Sequence, residues 1–289
     1  MILIDLKSEF YPKNLRGIKN RPKKLYANGN IEILNSNCIS IVGSRQNTKY
    51  GEKWCKKFVQ EFIKYDLTIV SGMALGIDKI AHETALKYGG KTIAVLPSGL
   101  ENIFPEENLK LYDEIILNGG CVISEYEPNV KPSSARFLER NRIVSGLSIA
   151  TLVVEAAYRS GTSVTAKIAN KQERDVFCIP GSLDNSKSVG TNKLLKEFAK
   201  IATEPKDIIS NYNFLHKTQY MQNIFVEEQV QEEYKEIYKL ITKEPININE
   251  IARKSSLDLS EISVKLIMLE LDGKIVKLPG NMYIRGDLN

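Results

Sequence analysis

The chain has 289 residues, which at about 150 per domain predicts one large or two modest domains with enough material to bury a core. Hydrophobic residues make up 43% and charged residues 26%, so neither a disordered nor a fibrous chain fits. The formal net charge is +5. The longest apolar runs, such as residues 148–157, fall far short of the roughly 20 residues that span a bilayer, and the start of the chain carries acids where a signal peptide needs basic residues. The expectation is a cytoplasmic protein with no membrane association.

Residues 1–37 hold Lys7, Lys13, Arg16, Lys19, Arg21, Lys23 and Lys24. They read either as a solvated basic lead-in or as a basic rim beside a nucleic-acid site, with Tyr11-Pro12 and Leu25-Tyr26 as packing anchors. From residue 38 onward, short apolar runs alternate with helical patterns, the signature of a parallel sheet covered by helices. The runs are 38–42, 67–70, 91–96, 121–123, 149–154 and 176–179. Between them, stretches such as 52–64 and 77–88 repeat apolar residues at spacings of three and four. The fold class is therefore α/β, a parallel sheet over 38–210 covered by helices.

A polar and aromatic stretch at 211–227 reads as a linker, and the charge changes after it. Residues 228–289 sum to −2, leaving +7 in the rest of the chain. This tail reads as a helix at 229–242, a short helix at 248–254, a helix at 260–271 and a hairpin pairing 274–278 with 282–285, the order of a winged helix. Its third helix buries Ile262, Leu266 and Leu269 and turns out Glu261, Ser263, Lys265 and Glu270. One lysine among acids is a poor reader of a duplex groove, so protein contact or an auxiliary role is expected.

Four cysteines, Cys38, Cys55, Cys121 and Cys178, are widely spread without a CxxC pair and predict buried hydrophobes, not disulfides. His82 and His216 are the only histidines and lie far apart, which removes the raw material for a zinc site or a histidine-based hydrolase. No catalytic residue, metal or cofactor is expected.

In an open parallel sheet, ligands bind beyond the carboxyl ends of the strands. Here those ends read Gly43-Ser44-Arg45, then the loop from Ser71 to Asp78, Pro97-Ser98-Gly99-Leu100, Ser124-Glu125-Tyr126, Glu155-Ala156-Ala157 and Pro180-Gly181-Ser182. Glycine lets backbone amides approach an anion, and helices that start after the turns add positive dipole ends. Phosphate is the expected ligand. Arg45 belongs either at the crevice or in a salt bridge, and Asp78 either at the site or only at its helix dipole. The most loaded stretch, 132–148, places Arg136, Phe137, Arg140, Asn141 and Arg142 within seven residues. Guanidinium groups hold phosphates while an exposed ring stacks on a base, the combination that single strands favour; the alternative is an amphipathic helix with Phe137 in the core and its arginines paired to acids. Ser160, Gly161 and Thr162, opening another helix, offer amides and hydroxyls for a phosphate or simply cap the helix. Gly89-Gly90-Lys91-Thr92 mimics the end of a phosphate loop, but Ala85 stands where the motif needs glycine and the run precedes a strand.

These segments, in order, resemble the DNA-processing protein A family (DprA, also called Smf): 41–45, 71–78, 99–108, 124–126, 137–148, 160–169 and 180–192, with a tail like the winged helix that many members carry. The resemblance implies an extended Rossmann-like parallel sheet with helices on both faces, in a non-catalytic protein that binds single-stranded DNA, forms a homodimer and helps to load the RecA recombinase in natural transformation. It implies DNA contacts at Gly43, Ser44 and Arg45, and at Phe137, Arg140, Asn141 and Arg142. This chain departs from the family at Phe104 (usually tyrosine), Leu138 (usually proline), Phe198 (where a glycine is usual) and Ser134 (often lysine), with Lys131 and Arg136 near that last position to supply the cation. The alternatives are a nucleotide phosphoribohydrolase of the lysine-decarboxylase-like class, whose Pro-Gly-Gly-x-Gly-Thr turn the segment around Arg159-Ser160-Gly161-Thr162 does not reproduce, and a nucleotide-sensing regulator, which the acidic tail disfavours.

Overall fold

The computed structural model describes residues 1–217, 231–242 and 244–286, and the chain divides into two compact units, Met1–Thr218 and Gln219–Asn289. Residues 218–227 of the expected linker and the start of the helix expected at 229–242 lie outside the described residues.

All six apolar runs form strands: β3 (Cys38–Val42), β4 (Thr68–Ser71), β5 (Thr92–Val95), β6 (Cys121–Ser124), β7 (Ala150–Val153) and β8 (Asp175–Cys178). Their continuous apolar character reflects burial on both faces. They pair in parallel in the order β6-β5-β4-β3-β7-β8. Helices α2 (Lys49–Lys64), α3 (Ile77–Lys87) and α4 (Leu109–Leu117) connect the first four strands and cover one face, where α4 packs on Ala94 and Val122. Helices α5 (Ser134–Gly146), α6 (Gly161–Lys171) and α7 (Val189–Glu197) cover the other face, where Ile143, Val144, Ala166 and Leu194 join Val42, Val70, Val95 and Val153 in one core. The direction of strand addition reverses between β3 and β7, so the crevice of the doubly wound sheet opens at their carboxyl ends. The four cysteines are buried and free as expected. Burial pushes the thiols of Cys38, Cys121 and Cys178 up to about 12.

The first 37 residues differ from the expected solvated lead-in, because they complete the sheet. Strand β2 (Lys24–Gly29) pairs antiparallel with β6, and β1 (Ile2–Asp5) pairs with β2. Tyr11, in the turn before the short helix α1 (Lys13–Arg16), is fully buried and donates its hydroxyl to the Pro22 carbonyl at 2.6 Å. Leu15 and Ile18 pack against α5 through Gly146. The cations serve this folding: Arg16 caps the Leu6 and Ser8 carbonyls, Arg21 the Arg16 carbonyl, and Lys24 pairs with Glu127. At the other edge, β9 (Lys200–Ile201) and α8 (Lys206–Ile209) follow β8, and the Tyr212 hydroxyl reaches Asp175 at 2.7 Å with Leu215 buried. The first unit therefore continues through residues that were expected to be linker.

In the second unit the helices Lys235–Leu240, Ile248–Lys254 and Leu259–Leu271 are followed by the hairpin of Ile275–Leu278 with Met282–Arg285, the winged-helix order. Ile262, Leu266 and Leu269 sit in its core as expected.

Candidate nucleic-acid interface

The crevice at the β3/β7 reversal is a cleft of about 490 Å³. Among the residues singled out in the sequence, Gly43, Ser44, Arg45, Phe137, Arg140, Asn141, Ser160, Gly161 and Thr162 all line it. Lys131, Arg136 and Arg142 do not.

The floor is built first. Arg140 is 5% exposed and donates to the carbonyls of Gly72 and Val95, tying together the ends of β4 and β5, while its Nε meets the Asn141 side chain at 3.3 Å. A Cβ at residue 72 would lie 2.5 Å from the Arg140 Nη1, so glycine there admits the guanidinium. Burial lowers the Arg140 guanidinium to about 10, against support from the Asp78 carboxylate, and it stays cationic at neutral pH. Asp78 is itself buried and accepts the Gly72 amide at 3.2 Å; burial raises its carboxyl, with the Arg140 charge the largest opposing influence. The glycine-rich loop after β4 is thus internal bracing. Its Gly76, at φ +77°, brings Ile77 to donate its amide to the Ser44 carbonyl at 3.1 Å, which fixes the turn that carries Arg45. Amides at two further turns are also committed, Gly99 to the Val130 carbonyl and Gly181 to the Asn192 side chain. These bonds take the glycine amides of three turns, at Gly72, Gly99 and Gly181, out of the expected phosphate-binding set, and one place left on the cleft wall is a helix start.

That place is the start of α6. The first amides of a helix lack internal partners. Ser160 caps one of them, its Oγ accepting from the Ser163 amide at 3.3 Å, while its carbonyl accepts the first intrahelical bond, from Val164 at 3.3 Å. The amides of Gly161 and Thr162 remain, at the positive end of the helix dipole and on the cleft wall. The Thr162 hydroxyl donates to the Gly43 carbonyl at 2.9 Å, holding the helix start against the Gly43-Ser44-Arg45 turn. The capping alternative holds for Ser160, and it leaves the amides of Gly161 and Thr162, both on the cleft lining, without a partner among the described residues.

Arg45 is exposed, and its guanidinium carbon lies 4.9 Å from the centre of the Phe137 ring. It makes no salt bridge among the described residues. Phe137 is half-buried, not core, and its other neighbour is Phe104, 41% exposed, in an edge contact of 5.6 Å between centroids. Phe104 does not line the cleft itself, and residue-by-residue reading of the sequence missed that its ring would back Phe137; its available signal was its place in a segment shared with the DprA family. Ser134 and Leu138 also line the cleft.

The remaining cations point elsewhere. Arg142 forms a two-pronged salt bridge with Glu125 at 2.6 and 2.8 Å and donates to the carbonyls of Asn20 and Glu139. Arg136 lies over the Tyr126 ring at 5.3 Å and donates to the Lys131 carbonyl. It borders a separate hollow that also contains Glu125, Glu127 and Glu139, a poor setting for a phosphate. Lys131 is exposed. None of the seven basic residues near the N-terminus lines the cleft.

Comparison with known proteins agrees with this architecture. Residues 2–213 match the family model described as DNA recombination-mediator protein A, and residues 226–281 match the DprA winged helix domain. The chain is 38% identical to Protein Smf of Escherichia coli, covering 98% of this chain and 77% of that protein, and 41% identical to the DNA processing protein DprA of Streptococcus pneumoniae, covering 71% and 72%. Among solved structures, DprA of S. pneumoniae superposes with a TM-score of 0.70 at 39% identity, covering 74% of this chain and 75% of that one. DNA processing protein A of Helicobacter pylori, the subject of a structural study of its single-stranded DNA binding mode, superposes at 0.65 and 35% identity, covering 72% and 94%. With a family model spanning its larger unit, a second on its winged helix and relatives matched over most of their length, the chain belongs to the DprA/Smf family of DNA-processing proteins.

Proposed function

We propose that this protein is a single-stranded DNA-binding recombination mediator that works without catalysis, protecting incoming single strands in natural transformation and loading the RecA recombinase onto them from a cytoplasmic homodimer. One observation carries the reading. Arg45 is left unbridged 4.9 Å from the centre of the Phe137 ring, on a cleft whose lining also holds Gly161 and Thr162 of the first turn of α6. A phosphate held by Arg45 and by the Gly161 and Thr162 amides sets the adjoining base beside the Phe137 and Phe104 rings. Charge-assisted contact and sequence-tolerant stacking together favour an unpaired strand over a duplex, whose bases are already stacked. Gly43 and Ser44 give the close backbone approach, Arg140 and Asn141 the floor, and Lys131 an outlying charge; Arg136 and Arg142 act as scaffold. Membership of the DprA/Smf family and the single-stranded DNA binding mode studied in the H. pylori protein support this assignment.

The test is fluorescence anisotropy of the full-length protein with labelled single-stranded and duplex oligonucleotides of equal length across a salt series. The expected result is a preference for the single strand and, for about three neutralised phosphates, a slope of log affinity on log salt near about −2. Equal binding to both, or a slope near zero, overturns the assignment and turns attention to a small phosphorylated ligand in the same cleft.

A further inference from the structure

The first turn of α6 has two sides. Gly161, Thr162 and Thr165 face the cleft, while Ser163 and Lys167, roughly opposite on the helical wheel, border a second hollow of about 60 Å³. Tyr158 and Arg159 form its rim, and Lys193 of α7 closes it. Tyr158 is 53% exposed and belongs to none of the buried clusters. Its ring has a cation on two sides: the Arg159 guanidinium carbon and the Lys193 ammonium each lie 5.1 Å from its centre. Glu197 takes Lys167 and Lys193 at 3.7 Å each, whereas Arg159 makes no ion pair among the described residues. Three cations therefore answer one carboxylate around an exposed ring. Arg159 also adopts φ +54°, a left-handed conformation uncommon for a residue with a side chain.

We propose that Tyr158, flanked by Arg159 and Lys193, is a second stacking station for nucleotides of the same single strand after they leave the cleft. The inference rests on the single-strand assignment and extends it. Ala157 lines the cleft and Tyr158 the second hollow, so adjacent residues border the two sites. A strand whose phosphate lies on the Gly161 and Thr162 amides needs only to pass the helix start to present its next base to Tyr158. An exposed ring accepts any base by its π face, and flanking cations neutralise the phosphates that accompany it. Nothing in the core depends on the ring or on the Arg159 charge.

The test compares wild type, Tyr158→Ala, Tyr158→Phe and Arg159→Gly as full chains against thymidine 5′-monophosphate and an oligothymidine of about 15 nucleotides. The shorter ligand, with one phosphate and one base, reports the cleft alone; the longer one reaches both sites. Tyr158→Ala and Arg159→Gly are expected to weaken binding of the longer strand at least about fivefold and leave the shorter unchanged, with Tyr158→Phe at wild-type affinity on both. Glycine tolerates the φ of residue 159, so Arg159→Gly is expected to melt no earlier than wild type. Unchanged binding of the longer strand overturns the second station, as does an equal loss on both ligands. If wild type binds neither ligand, the single-strand assignment fails and this one with it.

Discussion

Two helices of equal length occupy comparable places in the two units, and they contrast in an unexpected way. Helix α5 (Ser134–Gly146) and the third winged-helix segment (Leu259–Leu271) both span 13 residues. By charge, α5 with Arg136, Arg140 and Arg142 looks like the nucleic-acid contact and the other helix, with Lys265 among acids, does not. The structure shows that α5 is a brace. Arg140 is buried under two carbonyls and Arg142 is clamped by Glu125, so α5 lines the cleft with Phe137, Ser134, Leu138 and Asn141 but offers it no free guanidinium, while the available cation, Arg45, comes from a turn. In the winged helix, Lys265 is also engaged, donating to the Glu233 carbonyl at 2.6 Å. The outer face of that helix is apolar, with Val264, Ile267, Met268 and Leu271 exposed. A basic helix is not a basic surface: a guanidinium has five donors, and nearby carbonyls and carboxylates claim them before any ligand does.

The largest effect that tests this contrast is on stability. Arg140→Leu strands two buried carbonyls and removes the charge that supports Asp78, and is expected to destabilise the first unit by about 3–5 kcal/mol in urea unfolding. A variant that folds normally and only loses DNA affinity would mean that Arg140 is a ligand-facing cation. Next is acid sensitivity. His82 is fully buried in α3, bonded to Thr92 at 2.7 Å, and burial, with the Arg140 charge behind it, pushes its imidazole down to about 3. An unfolded imidazole titrates near about 6.5. Between these values the unfolded chain binds a proton that the folded chain refuses, so the histidine costs stability as pH falls, about 2 kcal/mol by about pH 5. The second unit has no histidine. Between about pH 7 and about pH 5, wild type is therefore expected to lose about 2 kcal/mol in urea unfolding that His82→Gln does not lose, with the loss falling on the first unit.

Arg45→Ala is expected to weaken single-strand binding by about 1–3 kcal/mol, as for loss of a charge-assisted contact, with unfolding unchanged because the guanidinium supports nothing in the fold. Early melting with normal binding would make Arg45 structural and break the contrast with Arg140. The smallest effect is expected from Ile267→Glu: at an exposed position it should shift stability by no more than about 0.5 kcal/mol and leave single-strand affinity unchanged. A clear loss of binding there would place DNA on the winged helix after all.

The six central strands were legible because a parallel sheet buried on both faces demands uninterrupted apolar runs, and the winged helix because Ile262, Leu266 and Leu269 repeat at helical spacing. Strands β1 and β2 were not. Leu25, Tyr26 and Ala27 are too short a run to outweigh the surrounding lysines, and they become a strand because β6 offers an open edge. The cleft was located correctly, since it follows from which runs end in Gly43-Ser44-Arg45 and which helix begins at Gly161. The division of labour inside it was not legible: Arg45, Arg140 and Arg142 are the same residue type, and only their surroundings separate a free cation from a buried tie and a surface clamp. Phe104 likewise came to back the Phe137 ring only through a contact between its loop and α5.

By itself, then, the sequence determined the element order, the parallel sheet, the place of the crevice and the poverty of catalytic and metal-binding groups, because these depend on local periodicity and composition. Tertiary structure alone decided which arginine faces solvent, which glycine turns are bracing and which helix start keeps open amides. Those outcomes depend on the nearest carbonyl or carboxylate in space, and such partners lie tens of residues away along the chain.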